Sequence, residues 1–337
     1  MLRLALLLVA APCLAHDLSI DVSGSSTAGS TNNPRTGSFG LGLSGSYDFN
    51  DAWSLTGMAV LTRELGTRTP GTASPGSNVL LFSVGAMWIP TESLMTMLTL
   101  VASPLAEQSN ATTVTGPRGR TADAVIKSKT SSLGALWNGL WSSGGESKFE
   151  HTLDVTLGFT RYNVTQQVVV PDASLSNLLK LECAAGDSDV CLMIRGVASP
   201  LWQGRFGAGY TATLFTDTDV GIEGTYFLYD KPPTSLGYFS LISPGREVGS
   251  GVPVLPLQFA LKPSVAHAFG PVRVKLSYQY GLYTEGLGVL HAATAKVSWK
   301  VTKEWRLSLS VTGQLDFAGG VVSNGGGQAL LGVLYAW

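Results

Sequence analysis

Between Val272 and Phe317 the chain alternates apolar and polar residues through three successive segments. Val272, Val274, Leu276, Tyr278, Tyr280 and Leu282 are apolar or aromatic, and Arg273, Lys275, Ser277, Gln279 and Gly281 between them are polar or small. After a short break Ala293, Ala295, Val297, Trp299 and Val301 alternate with Ala292, Thr294, Lys296, Ser298 and Lys300. Trp305, Leu307, Leu309, Val311, Leu315 and Phe317 then interleave with Arg306, Ser308, Ser310, Thr312, Gln314 and Asp316. A period of two puts the two sets on opposite faces of a strand. Segments of roughly ten residues exceed the ~5–6 usual in globular sheets, and a long strand with one greasy and one wet face suits the tilted wall of a membrane barrel.

The start of the chain is consistent with that reading. Residues 1–15 carry a basic residue (Arg3), an apolar run from Leu4 to Ala11 and small residues at Cys13 and Ala15, the pattern of a secretory signal peptide cleaved before His16. Cys13 raises a lipoprotein alternative, against which Pro12 stands where a lipobox needs Gly or Ala. Residues 16–337 then form a single domain, and no run in them is apolar for long enough to make a transmembrane helix. Charged residues make up 13 % of the chain, about half the usual share for a soluble domain, and glycine numbers 40. Loss of Arg3 moves the formal net charge from −1 to −2, and no basic stripe carries stacking aromatics, so nucleic acid is not an expected partner. Cys183 and Cys191 sit close together in a loop-like stretch of an exported chain and are expected to form a local disulfide.

Turn signals divide the mature chain into about fourteen strands, an even number as bacterial single-chain barrels require. Short connections such as Asn50-Asp51 and Gly270-Pro271 alternate with long ones at Leu65–Ser77, Pro104–Ala124, Asn163–Leu201 and Asp230–Val254. Short periplasmic turns and long extracellular loops are the asymmetry of an up-and-down barrel. Trp53, Trp88, Trp137, Trp141, Trp299, Trp305 and Trp337 fall toward the short-turn ends, as an interfacial girdle requires; of the eight tryptophans only Trp202 does not.

The final segment, with Leu331, Gly332, Val333, Tyr335 and Trp337, resembles the C-terminal strand signal of bacterial outer-membrane β-barrels, which ends in an aromatic residue. The resemblance implies an all-β transmembrane antiparallel barrel in the outer membrane, surrounded by outer-membrane lipids and lipopolysaccharide and inserted by the barrel-assembly machinery. A count of fourteen resembles hydrophobic-compound transporters of the long-chain fatty acid type and some monomeric sugar porins. The fatty-acid type carries a hatch segment before its first strand. Here the first strand is expected almost at the mature N-terminus, leaving no such hatch and no room for a siderophore-receptor plug.

Function in a barrel resides in its lumen and loops. The polar register places the cations Arg205, Lys262, Arg273, Lys275, Lys296, Lys300 and Arg306 and the acids Asp48, Asp154, Glu223 and Asp316 along the expected pore, with Asp17 and Asp21 near the start. A basic wall on the later strands facing acids elsewhere points to a passive pore for small polar or anionic solutes. Two alternatives stand beside it. Met58, Met87, Met95 and Met97 point to a greasy lumen and transport of small hydrophobic compounds, and mutual pairing of the charges points to a closed, structural barrel. The Asn163–Leu201 loop, with a possible short helix at Ser174–Leu181, is a constriction if it folds inward and a surface cap if outward. The Gly237–Pro253 loop is an apolar candidate for a plug or a lipopolysaccharide contact. His16, His151, His267 and His291 sit at the terminus, near periplasmic ends and on a lipid-facing register. With no G-x-S-x-G elbow or metal-ligand cluster, the expectation is no catalysis, no cofactor and no metal.

Overall fold

A computed structural model of the chain describes residues 17–28, 36–66, 78–116, 118–119, 121–143, 149–184, 191, 194–215, 217–231, 257–319 and 321–336. The leader segment, His16, the 237–253 loop and Trp337 lie outside these residues.

Fourteen strands close into one antiparallel barrel: β1 (Asp17–Ala28), β2 (Thr36–Asn50), β3 (Trp53–Gly66), β4 (Asn78–Thr91), β5 (Leu94–Thr115), β6 (Thr121–Ser142), β7 (Phe149–Val169), β8 (Val197–Leu214), β9 (Thr218–Tyr229), β10 (Leu257–Phe269), β11 (Val272–Tyr283), β12 (Val289–Lys300), β13 (Trp305–Ala318) and β14 (Val321–Ala336). Each strand pairs with its sequence neighbours, and β1 closes the wall against β14 with Asp17 opposite Ala336. One helix, α1 (Ala173–Glu182), lies between β7 and β8. Closure leaves no unpaired strand edge, which a hydrocarbon surround demands.

The apolar register faces out. Leu41, Leu98, Leu157, Phe206, Ile222, Leu276, Val311 and Leu331 are all exposed, forming a band around the wall. At its short-turn margin Trp53 stacks on Trp88 with centroids 5.7 Å apart, and Trp305 packs against Tyr335 at 4.7 Å. His151 bonds the Tyr210 hydroxyl at 2.6 Å, and His267 bonds that of Thr218 at 2.8 Å. Both therefore tie rings at the periplasmic margin. His291 bonds Tyr278 and packs edge-on against Phe317 on the same outer register.

The wall is uneven in height. β5, β6 and β7 run to 22, 22 and 21 residues, whereas β9, β11 and β12 have 12 each. Much of the loop expected at Pro104–Ala124 is thus strand, with β5 and β6 joined by a tight turn after Thr115. Proline lacks an N–H and interrupts a ladder, so Pro104 reads as a strand end in sequence. In the fold it sits in a bulge: register shifts against β4 at Leu80–Phe82 and against β6 at Ser103–Ala106, and pairing then resumes. The buried Ser103 hydroxyl donates to the Leu80 carbonyl at 2.9 Å, capping an acceptor at the bulge. Likewise the expected 163–201 loop shortens, because β7 continues to Val169 and β8 begins at Val197.

Candidate functional site in the lumen

The second register faces the barrel interior. Val164 on β7 packs against a cluster of Leu257, Tyr283 and Leu290 from β10, β11 and β12, strands that are not its neighbours in the wall. Such a contact is made only across the lumen. Met58, Met95 and the directly opposed pair Met87–Met97 share this register, giving the early strands a softer, apolar lining.

From the periplasmic end upward the later strands present cations. Lys300 stands opposite Arg306 on β12 and β13, and Lys275 opposite Lys296 on β11 and β12. Arg273 forms an ion pair with Asp219 near the start of β9. Lys262 faces Glu223 across β10 and β9, and Glu223 continues through Gly209 to Asp154 on β7. That row therefore runs cation, acid, gap, acid. The missing side chain at Gly209 leaves ordinary van der Waals clearance from Asp154 and Glu223. The Thr156 hydroxyl, 2.8 Å from the Asn138 side-chain oxygen and 3.4 Å from Asp154, joins the row to β6. Asp48, in the same register, faces Ser54 on β3 near the periplasmic rim, away from the basic strands. Asp17 accepts the Ser46 amide at 2.8 Å and is spent on the β1–β2 junction.

Above the charges the lining changes character. Arg205 on β8 lies 5.9 Å from the Phe227 ring, and its Nε is buried without a hydrogen bond among the described residues. Next comes a polar girdle across β7–β10: Tyr162 donates to Gln203 (3.2 Å), Gln203 to Tyr229 (2.9 Å), and Tyr229 to the Leu257 carbonyl (2.8 Å). Beside it Leu257, Tyr283, Leu290 and Ala292 are buried together, with Val164, Phe227, Ala260 and Leu287 packed on them. Gly281 makes this close packing possible, since a Cβ there would come 2.8 Å from Leu257 and 3.2 Å from Leu290. Asp316, fully buried, accepts from Tyr283 and Gln314 at the flank of the layer. It is a brace of the apolar layer, away from the basic rows.

Over the tall side of the wall sits α1. Asp172 caps it by accepting from the amides of Ser174 and Leu175 at 2.8 and 3.0 Å, and Lys180 lies in the last turn where the helix dipole favours a cation. Its Leu179, with Ile194 and the Cys183–Cys191 disulfide, packs on Val114, Ala122, Ala124, Val168 and Val170. Ala122 and Ala124 belong to the inward register of β6, so this segment folds over the lumen side of the projecting strands.

The alternation assigns the charged residues to one register and does not mark the layer above them. Tyr162, Phe227, Tyr229 and Leu290 each occupy an inward position where the alternation predicts a polar or small residue. Their common signal was a run of bulky residues in the wet register near the long-loop ends.

No protein-family model matches the chain, and no curated protein matches it in sequence. Solved structures do resemble it. A Pseudomonas aeruginosa FadL homologue has a TM-score of 0.58 at 9 % identity, covering 95 % of this chain and 89 % of its own. The CymD monoaromatic hydrocarbon channel gives 0.56 at 8 %, covering 95 % and 88 %, and the Ralstonia pickettii toluene transporter TbuX 0.54 at 9 %, covering 95 % and 89 %. The fold is that of outer-membrane channels, a closed fourteen-stranded antiparallel β-barrel.

Proposed function

We propose that the barrel passes small hydrophobic compounds across the outer membrane, the apolar layer of Leu257, Tyr283, Leu290 and Phe227 serving as their binding site. One observation carries this reading: greasy side chains of β7, β9, β10, β11 and β12, strands that are not all neighbours in the wall, pack together inside the lumen. A dry constriction excludes ions, because stripping their hydration is costly, while an apolar solute exchanges protein contacts for its own at little cost. Aromatic and aliphatic walls with a few polar anchors are the usual lining of such a site. Three structural neighbours bear names that fit, a hydrocarbon channel, a toluene transporter and a FadL homologue.

A second reading, a pore for small anions, has its own support in the opposed Lys275 and Lys296. Planar-bilayer recording separates the two. The hydrophobic-compound channel carries little ionic current in its resting form; a large, anion-selective current through the unaltered barrel overturns it in favour of the anion pore.

A further inference from the structure

Around most of the wall the outward register carries no charge. Among the described strand residues its Lys and Arg side chains are Arg63 on β3, Lys127 and Lys129 on β6, and Arg161 on β7. The described acid in that register is Asp123. All lie toward the long-loop ends of β3–β7, on the side of the barrel away from the basic lumen wall.

Their height is informative. Leu153 faces Trp141 of the periplasmic girdle, and Arg161 follows it by eight residues along β7. At about 3.3 Å per residue and a tilt of about 40°, Arg161 stands about 20 Å above that girdle. Lys129, opposite Thr165, stands about 30 Å above it, and Lys127, opposite Gln167, about 35 Å. The apolar band of such barrels is about 25 Å tall, so these cations straddle its outer edge. Level with Arg161 and below the two lysines is a greasy platform: Leu133 directly opposite Arg161, with Phe159 and Leu105 exposed beside it. Arg161 itself lies over the Trp202 ring at 5.1 Å, and Trp202 stacks on Phe159 at 4.8 Å.

We infer that this surface is a binding site for a phosphate-bearing glycolipid of the outer leaflet, such as the lipid A part of lipopolysaccharide. The acyl chains lie on Leu133, Leu105 and Phe159, and the phosphates meet Arg161, Lys129 and Lys127. A guanidinium seated over an aromatic ring is positioned by that contact and still has its N–H donors for phosphate oxygens. Lys129 and Lys127 stand above the platform and Arg161 at its level, the order in which an amphipathic lipid presents its headgroup over its chains. A free anion uses only the upper half. The site is independent of what the lumen passes.

The test is native mass spectrometry of the detergent-purified barrel with bisphosphorylated lipid A, with dephosphorylated lipid A and with inorganic phosphate. Each lysine or arginine near a charged lipid surface is expected to contribute about fivefold in affinity, so R161Q/K129Q/K127Q should bind lipid A about a hundredfold more weakly. K275Q/K296Q in the lumen should bind as the unaltered barrel does. Heat-modifiable gel migration reports folding of each variant, and K127Q alone supplies the fivefold step if the triple variant does not fold. Equal binding of dephosphorylated lipid A, unchanged binding by both the triple variant and K127Q, an equal loss in the lumen variant, or displacement of lipid A by inorganic phosphate overturns the assignment.

Discussion

The Tyr283 hydroxyl on β11 donates to the Asp316 carboxylate on β13, reaching past Leu290 of the intervening β12, which pairs directly with Asp316. A buried acid thus braces the apolar layer from one side. Removing the acceptor leaves the buried Tyr283 hydroxyl to lose this bond, and Gln314 loses it too. Asp316→Ala is expected to destabilise the barrel by about 1–3 kcal/mol in urea unfolding from lipid vesicles, and Asp316→Asn, which keeps an acceptor, by less.

On the proposed function the layer is the barrier to water and ions. Leu290 is fully buried at its centre. Leu290→Ser shortens the side chain and introduces a hydroxyl, so the constriction should wet and single-channel conductance should rise, while stability falls by about 2–5 kcal/mol as for other large-to-small core changes. Unchanged conductance in a folded variant places the barrier elsewhere.

Much of this is legible in the sequence, and what is not has a physical reason. Period-two alternation fixes strand faces because a pleat has only two sides, so the register of Lys262, Arg273, Lys275, Lys296 and Glu223 follows from counting. Burial within the lumen does not follow, because it depends on the diameter and tilt of the closed barrel. Tyr229 and Tyr283 therefore read simply as the last aromatic residues of their strands. Pro104 misleads for the opposite reason: a local rule about ladders is overridden by a bulge, and β5 continues beyond it.

Like charges directly opposed on one face of a sheet repel, and Lys275 and Lys296 are so placed. Lys296→Glu converts the pair to an attractive one. It should stabilise the barrel by roughly 0.2–1 kcal/mol and, in the wetted Leu290→Ser background, shift the zero-current potential toward cation selectivity. An unaltered potential removes this pair from the permeation path.

The Cys183–Cys191 bridge ties the C-cap of α1 to a residue eight positions further along the chain. Chain-entropy estimates for a loop of this size give about 2.5 kcal/mol. Reduction, or Cys183→Ala with Cys191→Ala, should loosen α1 from Val168 and Ala124 and raise limited-proteolysis rates within residues 170–196, leaving heat-modifiable migration of the barrel unchanged.

At the β12–β13 turn the Thr302 hydroxyl donates to the Glu304 carboxylate at 2.8 Å, and this bond, with a backbone bond, holds the carboxyl below its ordinary range. A depressed folded-state pKa contributes stability that is present above the ordinary carboxylate pKa and lost as pH falls through the lowered value. Thr302→Ala should move the Glu304 titration upward in a carboxyl-detected NMR experiment.

The most direct test is uptake of radiolabelled naphthalene by intact Gram-negative cells, whose lipopolysaccharide leaflet resists apolar solutes. Cells producing the unaltered barrel are compared with cells producing Gly281→Leu, in which the added side chain is driven into Leu257 and Leu290. Faster uptake than in cells lacking the barrel, abolished by Gly281→Leu in a variant that still folds, is the predicted result. Uptake no faster than in cells lacking the barrel contradicts the account.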